Sequence, residues 1–270
     1  MTSPSTLTLL DFQRMASVMD RYLPLIEPVG RAILDRLPVL PEGANVLDVA
    51  CGTGEPGLTL ARKHPSVRLL GIDGVPDMVA VARAKSSQQH LENARFEVMN
   101  AERLACKDQS FDAMISRFGL LMFGDTAACA KEMRRVLRRG GAFSLAVWDD
   151  MATNTLVRTV MNVLRPVVPA ELAAPFDAAP GRDAGEHLRD AGLTDVQSVS
   201  IQWAYAFTDD VALWEFVSGP GLFARHFAGL HADAARRVNE RLLSSLDEYR
   251  SEDGRYRIPH ACRLWWGTSR

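Results

Sequence analysis

The chain has 270 residues, 47% of them hydrophobic and 24% charged, with 31 basic residues set against 33 acidic ones. That is enough apolar sequence for a full core. A near-neutral balance without a dense Lys/Arg run excludes the field needed to hold a phosphate backbone or an anionic membrane surface, so neither nucleic acid nor membrane is expected as a partner.

From the N-terminus, Leu9 to Leu37 reads as helical, with Phe12, Met15, Ala16 and Met19, then Ile26, Val29, Ile33 and Leu34, at three- and four-residue intervals. Pro24 and Pro28 are expected to split it into two helices, the second ending before Pro38. From Asn45 short apolar runs alternate with helical ones: 46–50, then 57–63; 68–72, then 76–86; 95–99; 113–116, then 127–137; and 142–148. Strands alternating with helices imply a parallel sheet covered on both faces. Gly140-Gly141 is expected to stop the last of these helices and turn the chain into the fifth strand.

After Trp148 the rhythm breaks. A helix over 155–164 and a stretch with Pro166, Pro169, Pro175 and Pro180 precede a short helix over 184–191. A sixth strand follows over 196–207, then helices near 211–217, 222–230 and 234–249, and a last strand near 258–266. The expected organisation is an N-terminal helical cap (1–40), a Rossmann-like core (41–150) and acceptor-lid insertions with the last two strands (151–270), all within one structural domain. Cys51, Cys106, Cys129 and Cys262 are widely separated, without Cys-x-x-Cys or suitable His spacing, so no metal site is expected. Met1–Leu10 lacks a signal pattern, and no run approaches the ~20 apolar residues of a membrane helix. The expectation is a cytoplasmic protein.

The first strand runs into Asp48-Val-Ala-Cys-Gly52-Thr-Gly54-Glu-Pro-Gly57, a Gly-x-Gly-x-x-Gly turn between strand and helix. Glycine is needed where backbone turns tightly and approaches a ligand without a Cβ, a demand shared by dinucleotides and S-adenosylmethionine (AdoMet). Asp48, inside the strand, is a carboxylate able to orient the loop. Pro56, in the first turn of the helix, removes a donor that a pyrophosphate could use. Both point away from a nicotinamide oxidoreductase. Gly71-Ile72-Asp73 ends the second strand with a carboxylate suited to two ribose hydroxyls. Asn100-Ala101 ends the third with an amide oxygen and a backbone N–H suited to adenine.

These residues, with Met78, Phe111-Asp112 and the run from Glu132 to Gly141, resemble the class I AdoMet-dependent methyltransferases, in the group of ubiquinone/menaquinone-type C-methyltransferases and small-molecule O-methyltransferases. The resemblance covers residues 40–150. It implies an α/β fold with a seven-stranded, mostly parallel sheet whose last strand is antiparallel, AdoMet as cofactor, and a small-molecule acceptor such as those of secondary metabolism. Ala50, Gly52 and Gly54 would then lie along the methionine portion, with Asp73 on the ribose, Met78 beside the adenosine, Asn100 and Ala101 at the adenine, and Tyr22 and Ser116 completing the cofactor contacts. Asn100 stands where the family usually has Asp, and Ala105-Cys106 where it has Pro-Phe.

Outside the cofactor motifs, Arg117 and Phe118 follow the fourth strand at the carboxyl edge, where open sheets place ligands. With Trp148 and Phe223 they form the candidate acceptor set, against the ordinary reading of a solvated Arg and core aromatics. Methyl transfer from a sulfonium proceeds by positioning, but a hydroxyl acceptor needs a base. His226, between Phe223 and Phe227, is the first candidate, although a lone His on an apolar face is more often structural. Oxygen is favoured as the receiving atom. The competing reading is an AdoMet-binding protein that transfers no methyl, a regulatory module or a cyclase.

Overall fold

The computed structural model describes residues 13, 15–120, 124–148, 154–169, 172 and 184–270. Phe12, Pro175 and Pro180 lie outside them. Seven strands form one sheet in the order β3-β2-β1-β4-β5-β7-β6: β1 (Asn45–Val49), β2 (Arg68–Asp73), β3 (Ala94–Val98), β4 (Phe111–Arg117), β5 (Leu137–Trp148), β6 (Leu193–Phe207) and β7 (Tyr256–Ser269). The first five are parallel, and β7 runs antiparallel to β5, with Leu145 opposite Trp265. This is the expected sheet, and it follows from the pattern: Val46, Leu47 and Val49 are buried on both faces as central parallel strands require.

Two compact units emerge, neither continuous in sequence: 26–149 with 180–201 and 262–270, here the sheet unit, and 1–25 with 150–179 and 202–261, here the insertion unit. In the sheet unit, Leu47, Val49, Met114, Met133, Phe143, Leu145 and Trp265 belong to one continuous apolar core. Helices Gly57–Lys63 and Pro76–Gln88 bury Leu58, Leu60 and Ala61, and Met78, Val79 and Ala82. The chain after β3 is tied down by Arg135, which donates to Glu132, Asp108 and the carbonyls of Leu104 and Cys106. In the insertion unit, helices Thr155–Leu164 and Ala232–Ser245 pack together, burying Leu156 and Val160 on one and Val238 and Leu242 on the other.

Three local expectations are corrected. Pro28 does not mark a helix boundary: it lies inside the helix Leu23–Asp35, which begins beside Pro24, follows a 3₁₀ turn at Met19–Arg21, and ends before Pro38 as expected. Pro24 lies in the first turn, where its missing N–H costs nothing, and the single bond lost at Pro28 is outweighed by burial of Ile26, Val29 and Ile33. Gly140-Gly141 does not end the fifth-strand helix; Thr126–Val136 passes directly into β5 at Leu137, and the glycines fall inside the strand where its register against β4 shifts. The helix expected near 222–230 is one turn, Ala224–Phe227.

Candidate active site

The site is built at the carboxyl ends of β1, β2, β4 and β5 in the sheet unit. Asp48 is 0% exposed. Burial pushes its carboxyl pKa up to about 8, opposed by the nearby Arg117 guanidinium and the Gly57 N–H. Its Oδ2 accepts from the Gly57 N–H at 3.2 Å. From β4, Arg117 Nη2 donates to the Glu55 carbonyl at 2.8 Å, and its Nη1 lies so close to Gly30 that a Cβ there would stand 3.1 Å away. The glycine loop is therefore held on both sides of Pro56, by Asp48 at one end and Arg117 at the other.

The loop between β1 and its helix turns through left-handed conformations at Ala50 (φ 55°), Gly52 (φ 53°) and Gly54 (φ 103°). At Gly52 the direction a Cβ would take is open, with no atom within 4 Å, while its N–H donates to Asp73 Oδ2 at 2.9 Å. Asp73 Oδ1 accepts from the Val75 N–H, also at 2.9 Å. Burial raises the Asp73 carboxyl pKa, and the N–H groups of Val75, Gly52 and Gly74 pull it back. An ionised carboxylate has about four acceptor sites, so these bonds leave capacity for ligand hydroxyls beside the space over Gly52. Those two features fit a nucleoside carrying vicinal hydroxyls with a chain laid across the glycine.

The remaining cofactor candidates fall as follows. Met78 is buried on Pro76–Gln88. Asn100 is exposed, its Oδ1 accepting from the Glu102 N–H at 2.8 Å, and Ala101 packs against the sheet core. Ser116 is buried, and its hydroxyl accepts from the Leu120 N–H at 3.1 Å. Cys51, within the loop, has its thiol pKa raised by burial. Gly119 lies against Ala50, since a Cβ on it would clash with the Ala50 Cβ. Phe118 and Trp148 are stacked with centroids 3.8 Å apart and planes 2° from parallel, a pairing that neither motif nor spacing revealed.

Tyr22, Phe223 and His226 belong to the insertion unit. The Tyr22 hydroxyl donates to the Pro220 carbonyl at 2.9 Å, and its ring meets Phe216 edge-on. Phe223 and His226 are 1% and 2% exposed, with rings 6.4 Å apart. The same unit holds a histidine that the residue pattern left unmarked: His260 lies flat on Tyr205 with centroids 3.7 Å apart, and burial lowers its pKa to about 4. The alternation of buried Tyr256, Ile258 and His260 with exposed Arg257 and Pro259 along β7 is the signal that marks it as inward. A separate cleft of about 560 Å³ runs along β3, lined by Arg83, Ser86, His90, Arg95 and Glu97. Arg83 and Ser86 there are bonded to the carbonyls of Phe96 and Leu91, and none of the glycine-loop residues lines it.

Fold and loop together define a class: doubly wound α/β proteins with an antiparallel last strand and a glycine turn facing an acid at the end of β2. The comparisons agree. The family profile described as "Methyltransferase domain" matches residues 40–172. A demethylmenaquinone methyltransferase of Deinococcus radiodurans is 43% identical over 109 residues, 40% of this chain and 45% of that protein. An uncharacterised protein of Mycobacterium tuberculosis is 31% identical over 233 residues, 84% of this chain and 83% of its own length. Among solved structures, the phosphoethanolamine N-methyltransferase 2 of Haemonchus contortus superposes with a TM-score of 0.61 at 16% identity, covering 98% of this chain and 60% of that one. Residues 40–172 of the chain belong to the methyltransferase domain family, and the sequence there is similar to that of demethylmenaquinone methyltransferases. The chain spans about half the length of the demethylmenaquinone methyltransferase it matches. No helix among the described residues is long and apolar enough to cross a membrane.

Proposed function

We propose that the protein transfers the methyl group of AdoMet to a small organic acceptor bearing a hydroxyl, with oxygen as the receiving atom. The carrying observation is the open space over Gly52 beside the half-buried Asp73 carboxylate. Bound there, AdoMet supplies a methyl group on a sulfonium, whose C–S electron pair stays on sulfur when the acceptor's electron pair takes the methyl. Asp73 holds the ribose hydroxyls, Met78 packs beside the adenosine, and Asn100 and Ala101 meet the adenine. Asp48 and Arg117 keep the loop in place by holding Gly57 and Glu55, so positioning needs no rearrangement of the turn.

On this reading Phe118 and Trp148, both of the sheet unit, line the acceptor, and the base expected at His226 is tested by substitution. The name of the Deinococcus relative supports a ring-bearing acceptor of quinone type, which in its reduced quinol form has a hydroxyl whose deprotonation activates both the oxygen and the neighbouring carbon. Incubation of the protein with methyl-labelled AdoMet and a panel of phenols and quinols tests the reading. The expected product carries a labelled methoxy group together with S-adenosylhomocysteine. A labelled C-methyl product moves the receiving atom to carbon, and cofactor turnover without any labelled product overturns transfer.

A further inference from the structure

Resting on the methyl-transfer reading and its placement of adenine at Asn100, we infer that Glu132 and Arg135 are a positioning pair for the base of the cofactor. Without touching the base, they set how strongly the site prefers adenine to a base that lacks its amine. Both residues stand on the helix Thr126–Val136, one turn apart. Arg135 Nε and Nη2 each donate to a Glu132 oxygen at 2.7 Å, Nη2 also to the Leu104 carbonyl at 2.8 Å, and Nη1 to the Cys106 carbonyl at 2.7 Å and to Asp108 at 2.6 Å. A guanidinium has five N–H donors in one plane, so this fork is saturated and its orientation is fixed. Glu132 Oε2 in turn accepts from the Leu104 N–H at 2.6 Å. Leu104 is thus gripped at its N–H and its carbonyl by one pair of side chains. They are only 30% (Arg135) and 18% (Glu132) exposed, so water competes weakly for these bonds.

The grip reaches Asn100 through a single turn. Asn100 Oδ1 accepts from the Glu102 N–H at 2.8 Å, and its carbonyl accepts from the Arg103 N–H at 3.2 Å, so Leu104 directly follows a closed turn. The sheet fixes the other side of that turn, where the Met99 N–H donates to the Asp73 carbonyl at 3.0 Å. The same helix adds a third hold at its start, since Glu102 Oε1 accepts from the Asp125 N–H at 2.9 Å. Asn100 itself is exposed, so the aim of its amide depends on the turn. An amide oxygen has two lone pairs; the Glu102 N–H takes one and thereby directs the other. That second pair accepts from the adenine amine, whereas hypoxanthine presents an oxygen in the same place and is repelled.

The test titrates the full chain by calorimetry with S-adenosylhomocysteine and with its deaminated analogue S-inosylhomocysteine, beside thermal unfolding of the same samples. The two ligands differ only at the base, so the ratio of their affinities is insensitive to a general loss of stability. The wild type is expected to prefer S-adenosylhomocysteine by about threefold to tenfold, the worth of one hydrogen bond. Arg135→Met should bring the ratio close to one. Glu132→Gln, which keeps an oxygen for Leu104 and gives up one for Arg135, should fall between, and it carries the test if Arg135→Met does not fold. Arg138→Met is the control: Arg138 pairs instead with Asp112 and the Gln109 carbonyl, so its loss should leave the ratio at the wild-type value. A ratio unchanged in the folded variants of the pair, a ratio lost equally in Arg138→Met, or failure of both pair variants to fold overturns the positioning role. A wild type that binds both ligands equally overturns the adenine assignment and the pair's role with it, whereas one that binds neither overturns the methyl-transfer reading.

Discussion

The sheet unit and the insertion unit hold their candidate residues by different means. In the sheet unit the backbone does the placing: Gly52 N–H on Asp73, Gly57 N–H on Asp48, and the Glu55 carbonyl on Arg117. In the insertion unit the placing is done by ring packing, with His260 on Tyr205, Tyr22 on Phe216, and His226 near Phe223. Backbone placement requires particular residue types at particular spacings and leaves a motif. Packing accepts many apolar residues of similar volume and leaves none.

The largest effect that tests this contrast is expected at His226. If a packed residue can also be the base, His226→Ala lowers turnover at saturating acceptor by about 10²–10⁴-fold, with AdoMet affinity unchanged. A variant whose turnover and acceptor affinity match the parent assigns His226 to packing alone. The next largest falls on the backbone-placed side. Asp73→Ala is expected to weaken AdoMet binding by about 1.5–3 kcal/mol, the range for a hydrogen bond to a charged group. Because Asp73 also holds the Gly52 N–H, Asp73→Asn should recover part of the loss; an unchanged affinity in folded Asp73→Ala would remove the ribose assignment.

Two pH experiments sharpen the comparison at smaller effect. The folded Asp48 carboxyl titrates near 8, above its ordinary 3.8. A raised folded pKa means stability that is complete below the unfolded value and is lost as pH rises through the folded one. The wild type should therefore lose thermal stability between about pH 4 and 8, and Asp48→Asn, which keeps an acceptor for Gly57, should flatten that loss. An identical slope in both proteins would mean that Asp48 is ionised throughout. His260 gives the opposite sign. Its pKa falls from 6.5 to about 4 through burial, so its contribution is present above pH 6.5 and lost as pH falls through 4. His260→Phe should reduce the drop in melting temperature between pH 7 and 4; no reduction would show that other groups govern acid unfolding.

The residue pattern by itself determined the seven strands and the glycine loop, because each depends on local chemistry. Buried parallel strands are mostly apolar, as at Val46, Leu47 and Val49, and a left-handed turn favours glycine, as at Gly52. Pro28 and Gly140-Gly141 misled for a related reason: local breakers forecast an end, but burial of Ile26, Val29 and Ile33 carries one helix past its proline, and strand pairing with β4 absorbs the glycines. The spacing of Arg117, Phe118 and Trp148 suggested ligand contacts without saying how they are arranged. Only the tertiary structure decided that Arg117 bonds the loop carbonyl of Glu55, that Phe118 and Trp148 stack, and that His260 lies on Tyr205. Each of these joins residues at least 30 positions apart. Which rings and charges meet is set by strand order and register, and those are properties of the whole sheet that no local window contains.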